Sequence, residues 1–339
     1  MNKGQNLLPA PQRKLPAATG LAVTLVLLCL GAAMYFYGGL VLDAIKASQF
    51  TPSSALASAS DRIDLTPRAQ QIFYATAPQI EAKEQFNNSC KSTERTTAIL
   101  GCYYLDRIYL YDIRNAELDG TLEVTAAHEM LHAAYQRLNY FDRQQVDSMV
   151  SQQYEAIKDQ PEIKQLMAFY SQSEPGAELD ELHSIIGTTI QNISPKLEQY
   201  YGRYFTNRPA VVALNAKYSA VFSELSKQAD DLQKQIDAEG PAIKADMAAY
   251  DSDLSQLNFD VESFNARAQV VGGFTTQAEF NVARAGIIQR TSLLNARQNA
   301  LNARISAYNT TVESLNKIAV HVSTLNQSIN GVSAPSGVQ

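Results

Sequence analysis

From Leu214 to Val322 the apolar residues recur at three- and four-residue spacing in two long runs. The first holds Leu214, Tyr218, Val221, Leu225, Leu232 and Ile236, then resumes in a shifted register after Gly240-Pro241 with Ile243, Met247, Tyr250, Leu254, Leu257, Val261 and Phe264. The second holds Phe280, Ala283, Ile287, Leu294, Leu301, Ile305, Tyr308, Val312, Leu315, Ala319 and Val322. Such heptads leave only a narrow apolar stripe, which a long helix buries against another helix rather than in a compact core. Between the runs lie Val270-Val271-Gly272-Gly273-Phe274 and then Thr276-x-x-Glu279, a capping box that starts a helix. The pattern predicts an antiparallel coiled-coil hairpin over residues 208–329, kinked or broken near Pro241. Each arm of about 55–60 residues would reach about 80–90 Å. The hairpin is a candidate surface for a protein partner or for self-association. Residues 330–339, NGVSAPSGVQ, read as a disordered tail.

The chain has 339 residues and a formal net charge of −6. It carries no Lys/Arg-rich patch beyond its N-terminus, which excludes nucleic acid as an expected partner. Residues 17–42 are uncharged and mostly apolar, long enough to cross a bilayer as a helix. Lys3, Arg13 and Lys14 precede that run. Positive charge stays on the cytoplasmic side, so residues 1–16 would be cytoplasmic and everything after the span extracytoplasmic. The expectation is therefore a single-pass protein of the cell membrane, with the lipid bilayer as a partner of residues 17–42. Residues 43–64, rich in Ser and Ala, read as a flexible linker.

Residues 65–207 remain for a compact domain. Thr66-Pro67 suits a helix start. The segments 97–104 (TAILGCYY) and 108–113 (IYLYDI) read as two strands joined by a short turn at Asp106-Arg107. Cys90 and Cys102 are candidates for a disulfide in a domain placed outside the cytoplasm. A loop from Asn115 to Gly120 leads into a helix over residues 121–138, with Asp119 or Thr121 as its N-cap. Three further helices are expected over residues 142–158, 161–172 and 177–186.

The helix over 121–138 contains His128-Glu129-Met130-Leu131-His132. Positions i and i+4 stack on one helix face, so the two imidazoles lie side by side, as two ligands of one tetrahedral zinc must. Glu129 is offset by one residue, where its carboxylate reaches a water on that metal. Val124, Ala127, Leu131, Tyr135 and Leu138 form one apolar arc, with the two histidines at its edge. H-E-x-x-H is the signature of zinc peptidases.

A catalytic zinc takes three protein ligands. The stretch Asp180-Glu181-Leu182-His183-Ser184 offers the third. It resembles the N-E-x-x-S-D stretch of the gluzincins, the thermolysin-like zinc metallopeptidases, whose Glu is that ligand. The resemblance covers about residues 95–190 and carries the role to Glu181, with Ser184 matching the family's Ser. It departs at Asp180, where the family has Asn, and at Ile185, where the family's Asp supports a ligand His. Glu178 and His183 compete with Glu181 for the ligand role. The resemblance implies an α+β zincin-like domain in which an edge strand binds the substrate backbone beside the metal.

The fold class expected is thus mainly α with a small β-sheet, an N-terminal transmembrane helix and a C-terminal coiled coil. The function expected is a membrane-anchored, extracytoplasmic zinc metalloendopeptidase acting on a peptide or protein. His128, His132 and Glu181 would hold Zn2+, and Glu129 would be the general base. Tyr135 and His183 are candidate stabilisers of the transition state. The alternative is a non-catalytic envelope scaffold whose coiled coil binds a partner, with a structural or vestigial metal site.

Overall fold

The computed structural model describes residues 17–90, 100–173 and 175–329. Residues 1–16, the tail 330–339 and the start of the first expected strand (97–99) lie outside the described residues. The chain divides into two compact units. Unit 1 holds residues up to 113 and 119–216; unit 2 holds 114–118 and 217–329.

Unit 1 opens with α1 (Ala17–Gln49), α2 (Ser54–Arg62) and α3 (Pro67–Ala75). Thr66 caps α3, its side chain accepting from the Ala69 N–H, and Pro67 occupies the first turn, where a missing N–H costs nothing. A strand β1 (Gln79–Glu81), a short helix α4 (Lys83–Ser89) and a hairpin of β2 (Gly101–Tyr104) and β3 (Arg107–Tyr111) follow. The sheet order is β1-β3-β2, with β1 parallel and β2 antiparallel to β3. Leu105 and Asp106 turn the hairpin with φ of 49° and 59°, the left-handed pair of a tight two-residue connection. Then come α5 (Thr121–Gln136), α6 (Tyr140–Ile157), α7 (Pro161–Ser173), α8 (Glu178–Thr189) and α9 (Pro195–Tyr201).

The core of unit 1 lies around α5. Ala126, Ala127, Met130, Leu131, Ala133 and Ala134 are buried against Ile108 and Leu110 of β3 on one side. On the other side stand Leu182, Ile185 and Ile186 of α8, with Tyr201 behind them. Gly187 makes this packing close, since a Cβ there would stand 2.5 Å from Leu131 Cδ1 and 2.8 Å from Tyr201 Cε1. The small residue lets α8 approach α5 and brings the polar start of α8 beside the histidines.

The expected fold class is corrected at its N-terminus. No helix among the described residues is long and apolar enough to cross a membrane. The transmembrane helix over 17–42, the bilayer contact and the single-pass, extracytoplasmic placement built on it therefore do not stand. Nor does the linker: α1 continues through residues 43–49, where Asp43 and Lys46 pair with Arg137 and Asp106 of unit 1, and Ser53 caps α2. The apolar run of α1 is largely exposed, from Val23 to Leu42, while Asp43 and Lys46 anchor its last turns. The N-cap of α5 is also different. Gly120 holds that position without a side-chain bond, and Asp119 instead receives the Arg62 guanidinium at 2.8 and 3.1 Å.

In unit 2, α10 (Arg208–Gln269, its first turns in unit 1) and α11 (Gln277–Ile329) run antiparallel. Asp260 pairs with Arg290, Asp253 with Arg297 and Asp246 with Arg304. One partner falls by seven residues as the other rises by seven, which is the register of an antiparallel heptad pair. These pairs are largely exposed and screened by solvent, so they fix register more than stability. The expected break at Pro241 is absent: α10 continues through it. Helix packing along the stripe, with Ile243 and Leu257 buried, holds the chain across the lost hydrogen bond. At the tip, Phe264, Phe274 and Phe280 cluster with centroids 5.2 to 5.3 Å apart.

Candidate metal centre

His128 and His132 project from one face of α5 with their Nε2 atoms 3.1 Å apart. Glu181, in the first turn of α8, sets its carboxylate oxygens 3.6 Å from His128 Nε2 and 3.4 Å from His132 Nε2. Tetrahedral ligands at zinc bond lengths of about 2.0–2.1 Å stand about 3.3 Å from one another. The three separations bracket that edge, and these residues could hold a metal ion. Glu181 is 4% exposed, and its Oε2 is buried without a hydrogen-bond partner. A buried carboxylate whose two oxygens each face an imidazole nitrogen is costly unless a cation satisfies it.

The support behind the ligands comes from Asp180. Its Oδ1 lies 2.8 Å from His132 Nδ1, and its Oδ2 accepts from Gln136 Nε2 at 2.9 Å. The bond fixes the His132 tautomer, Nδ1 protonated and Nε2 turned to the cluster. Sequence comparison alone placed this support in doubt, since Ile185 stands where the gluzincins have Asp. The signal was a carboxylate next to the ligand Glu, at the position of the family's Asn. Burial opposes charge at all three groups, and mutual attraction wins. At His132 burial is the largest single influence and lowers its pKa, but the Glu181 charge, the Asp180 hydrogen bond and charge and the Glu129 charge together overcome it and push the imidazole up to about 10. His132 in turn holds the Glu181 and Asp180 carboxyls below their usual range.

Glu129 is 6% exposed, and its side chain lies against Gly101 of β2. A Cβ on Gly101 would stand 2.8 Å from Glu129 Cγ and 2.9 Å from its Oε1, so only glycine lets the strand pass this close. Among the described residues β2 pairs with β3 alone, at the edge of the sheet. The Tyr111 N–H donates to the Leu100 carbonyl. By alternation Cys102 and Tyr104 bond to β3, while the backbone groups of Gly101 and Tyr103 point the other way. Cys102 is bridged to Cys90 with their Cα atoms 6.0 Å apart. The bridge ties β2 to the end of α4.

The remaining candidates are elsewhere. His183 is fully buried on the opposite side of α8, its Nε2 2.9 Å from the Tyr200 hydroxyl, and burial pushes its pKa down to about 3. Tyr135 donates its hydroxyl to Asp147 at 2.6 Å, and burial raises its pKa. The two rings pack at 5.2 Å as part of the core, so neither presents a free polar group to a substrate at the cluster. Glu178, the first residue of α8, stays outside the cluster. Compared with known proteins, the chain matches no family model, no curated protein and no solved structure.

Proposed function

We propose that unit 1 is a zinc metalloendopeptidase of gluzincin-like design, with His128, His132 and Glu181 as ligands and Glu129 as general base. The observation that carries this reading is the convergence of an H-E-x-x-H helix with a buried Glu from a later helix, at tetrahedral ligand spacing. Three protein donors are the number that a catalytic zinc takes, whereas structural zinc takes four.

A zinc ion held there supplies Lewis acidity, polarising a carbonyl and acidifying water. The protein does the rest. Asp180 orients His132. Glu129 accepts a proton from the attacking water and hands it to the leaving amine. The outward backbone groups of Gly101 and Tyr103 suit an extended peptide added to the edge of β2, which would lie beside Glu129.

The test is metal analysis of the purified full chain, joined to cleavage of a diverse peptide mixture. About one zinc per chain, and hydrolysis abolished by a chelator and restored by zinc, is the expected result. Bound metal without any hydrolysis would move the protein to the scaffold reading, with the hairpin of unit 2 as its binding surface.

A further inference from the structure

Arg137 caps the C-terminal end of α5, five residues beyond His132. A cation there complements the helix dipole, and an exposed side chain would be enough for that. Arg137 is instead largely buried and uses all five of its N–H groups. Nε and Nη2 donate to the two oxygens of Asp43 at 2.8 and 3.0 Å. Nη2 also donates to Asp106 at 2.8 Å, and Nη1 donates to the Tyr103 hydroxyl at 3.1 Å and to the Ala133 carbonyl at 3.0 Å. The Tyr103 hydroxyl donates to Asp106 at 2.9 Å, and Lys46 donates to the same carboxylate at 2.5 Å.

Two of these partners belong to the β2–β3 hairpin. Tyr103 lies on β2 and Asp106 in the turn. Two residues before Tyr103, the same strand rests Gly101 on Thr125 and Glu129. The strand is therefore held to α5 at two places: by contact at residues 125–129 and by charge-assisted bonds at 137. The first is a close van der Waals approach that only glycine permits. The second is rigid, because a planar guanidinium with every donor engaged admits little rotation.

We propose that Arg137 is a positioning residue, holding the edge strand β2 in place against the Glu129 carboxylate. It touches neither the metal cluster nor the space beside Glu129, and acts through Tyr103 and Asp106. Its effect on turnover rests on the peptidase reading; its effect on the strand does not.

The experiment compares the full chain with Tyr103→Phe and Arg137→Lys. Tyr103→Phe deletes one oxygen and leaves the Asp43 pair intact, whereas Arg137→Ala would strip the buried Asp43 of its partner. Zinc alone is the ligand in binding measurements. Both variants are expected to bind zinc within about twofold of wild type, since α5 and α8 carry the ligands. Amide exchange over residues 101–104 should accelerate about tenfold or more, and kcat for peptide hydrolysis should fall about tenfold with KM little changed, because displacement of reacting groups by about 1 Å costs up to about a hundredfold. Unchanged exchange in both variants overturns the proposal and leaves Arg137 a fixture of α1 alone. Faster exchange with full kcat overturns it too, and so does zinc affinity falling in step with activity. If the wild-type chain hydrolyses no peptide, the peptidase reading fails by itself, and exchange over β2 alone decides the role of Arg137.

Discussion

Asp180 Oδ1 and His132 Nδ1 stand 2.8 Å apart, so the residue that precedes one ligand on α8 fixes the tautomer of another on α5. The two helices thus share one hydrogen-bonded network around the proposed metal ligands. Supporting partners of this kind are worth about 10–100-fold in metal affinity. Asp180→Ala should weaken zinc binding by that factor, measured by competition with a chromophoric chelator. Asp180→Asn keeps an acceptor oxygen and should lose less. Equal affinity in wild type and Asp180→Ala would show that His132 needs no such support.

The same network predicts how zinc binding depends on pH. His132 is raised from 6.5 to about 10, so the metal-free site keeps a proton on Nε2 at neutral pH. Zinc must displace that proton. Apparent affinity should rise about tenfold per pH unit from neutrality towards pH 10 and then level off. Calorimetry in buffers of different ionisation enthalpy should count about one proton released per zinc near pH 7.5. The metal-free fold has the opposite dependence. The contribution of charged His132 is full below pH 6.5 and is lost as pH rises through 10.

How much of this was legible beforehand depends on how local each signal is. The i,i+4 histidines and the Thr66-Pro67 start of α3 are set by neighbours in sequence and could be read there; the hairpin turn falls at Leu105-Asp106, one residue before the expected Asp106-Arg107, because Arg107 joins β3. β1 could not: three residues after Pro78 carry no periodicity, and they become a strand only because β3 offers an unpaired edge. α2 lies in a Ser/Ala stretch that looks like a tether, and its helix is held by Leu56 and Ala59 packing into the core. The apolar run of α1 read as a membrane span because its pairing residues, Asp43 and Lys46, fall just past it. Asp180 was visible as a residue but its partner was not, since His132 is 48 positions away. Tyr135 and His183 were offered as catalytic groups on residue type alone; their burial follows from tertiary packing.

His183 should behave oppositely to His132. Its pKa is pushed down from 6.5 to about 3 by burial, so it stays neutral in the fold while the unfolded chain protonates. The stability it allows is present above pH 6.5 and is lost as pH falls towards 3. The loss should have a slope of about one proton. His183→Gln cannot take up that proton, and urea unfolding between pH 4 and 7 should show a flatter acid limb for the variant. Parallel limbs would mean that other groups carry the acid lability.

Gly101→Ala tests the contact between strand and carboxylate. The new Cβ would meet Thr125 Cγ2 at 2.5 Å and the Glu129 side chain at 2.8 Å, so either β2 or Glu129 must move. Zinc affinity should stay near wild type, because none of His128, His132 and Glu181 is among the atoms that the new Cβ would meet. Peptide hydrolysis should fall about tenfold or more, given the sensitivity of proton transfer to position. Retained hydrolysis would place the reaction away from β2.

Glu129→Gln separates the base from the ligands. The amide keeps the size of the carboxylate, so the packing beneath Gly101 survives and the fold should unfold at an unchanged denaturant midpoint. His128, His132 and Glu181 are untouched, so about one zinc per chain should remain bound. What is lost is the ability to accept a proton, and general-base catalysis contributes about 10²–10⁴-fold. Hydrolysis of the best peptide found for the wild type should fall by that factor, with KM nearly constant because the amide changes chemistry more than binding. His128→Ala and His132→Ala should differ in kind, losing the metal together with the activity. Glu181→Ala should join them if it is the third ligand. Retained zinc in Glu181→Ala, with loss in Glu178→Ala, would reassign that position. Full cleavage by Glu129→Gln would remove Glu129 from the chemistry and leave the cluster a metal site of another purpose.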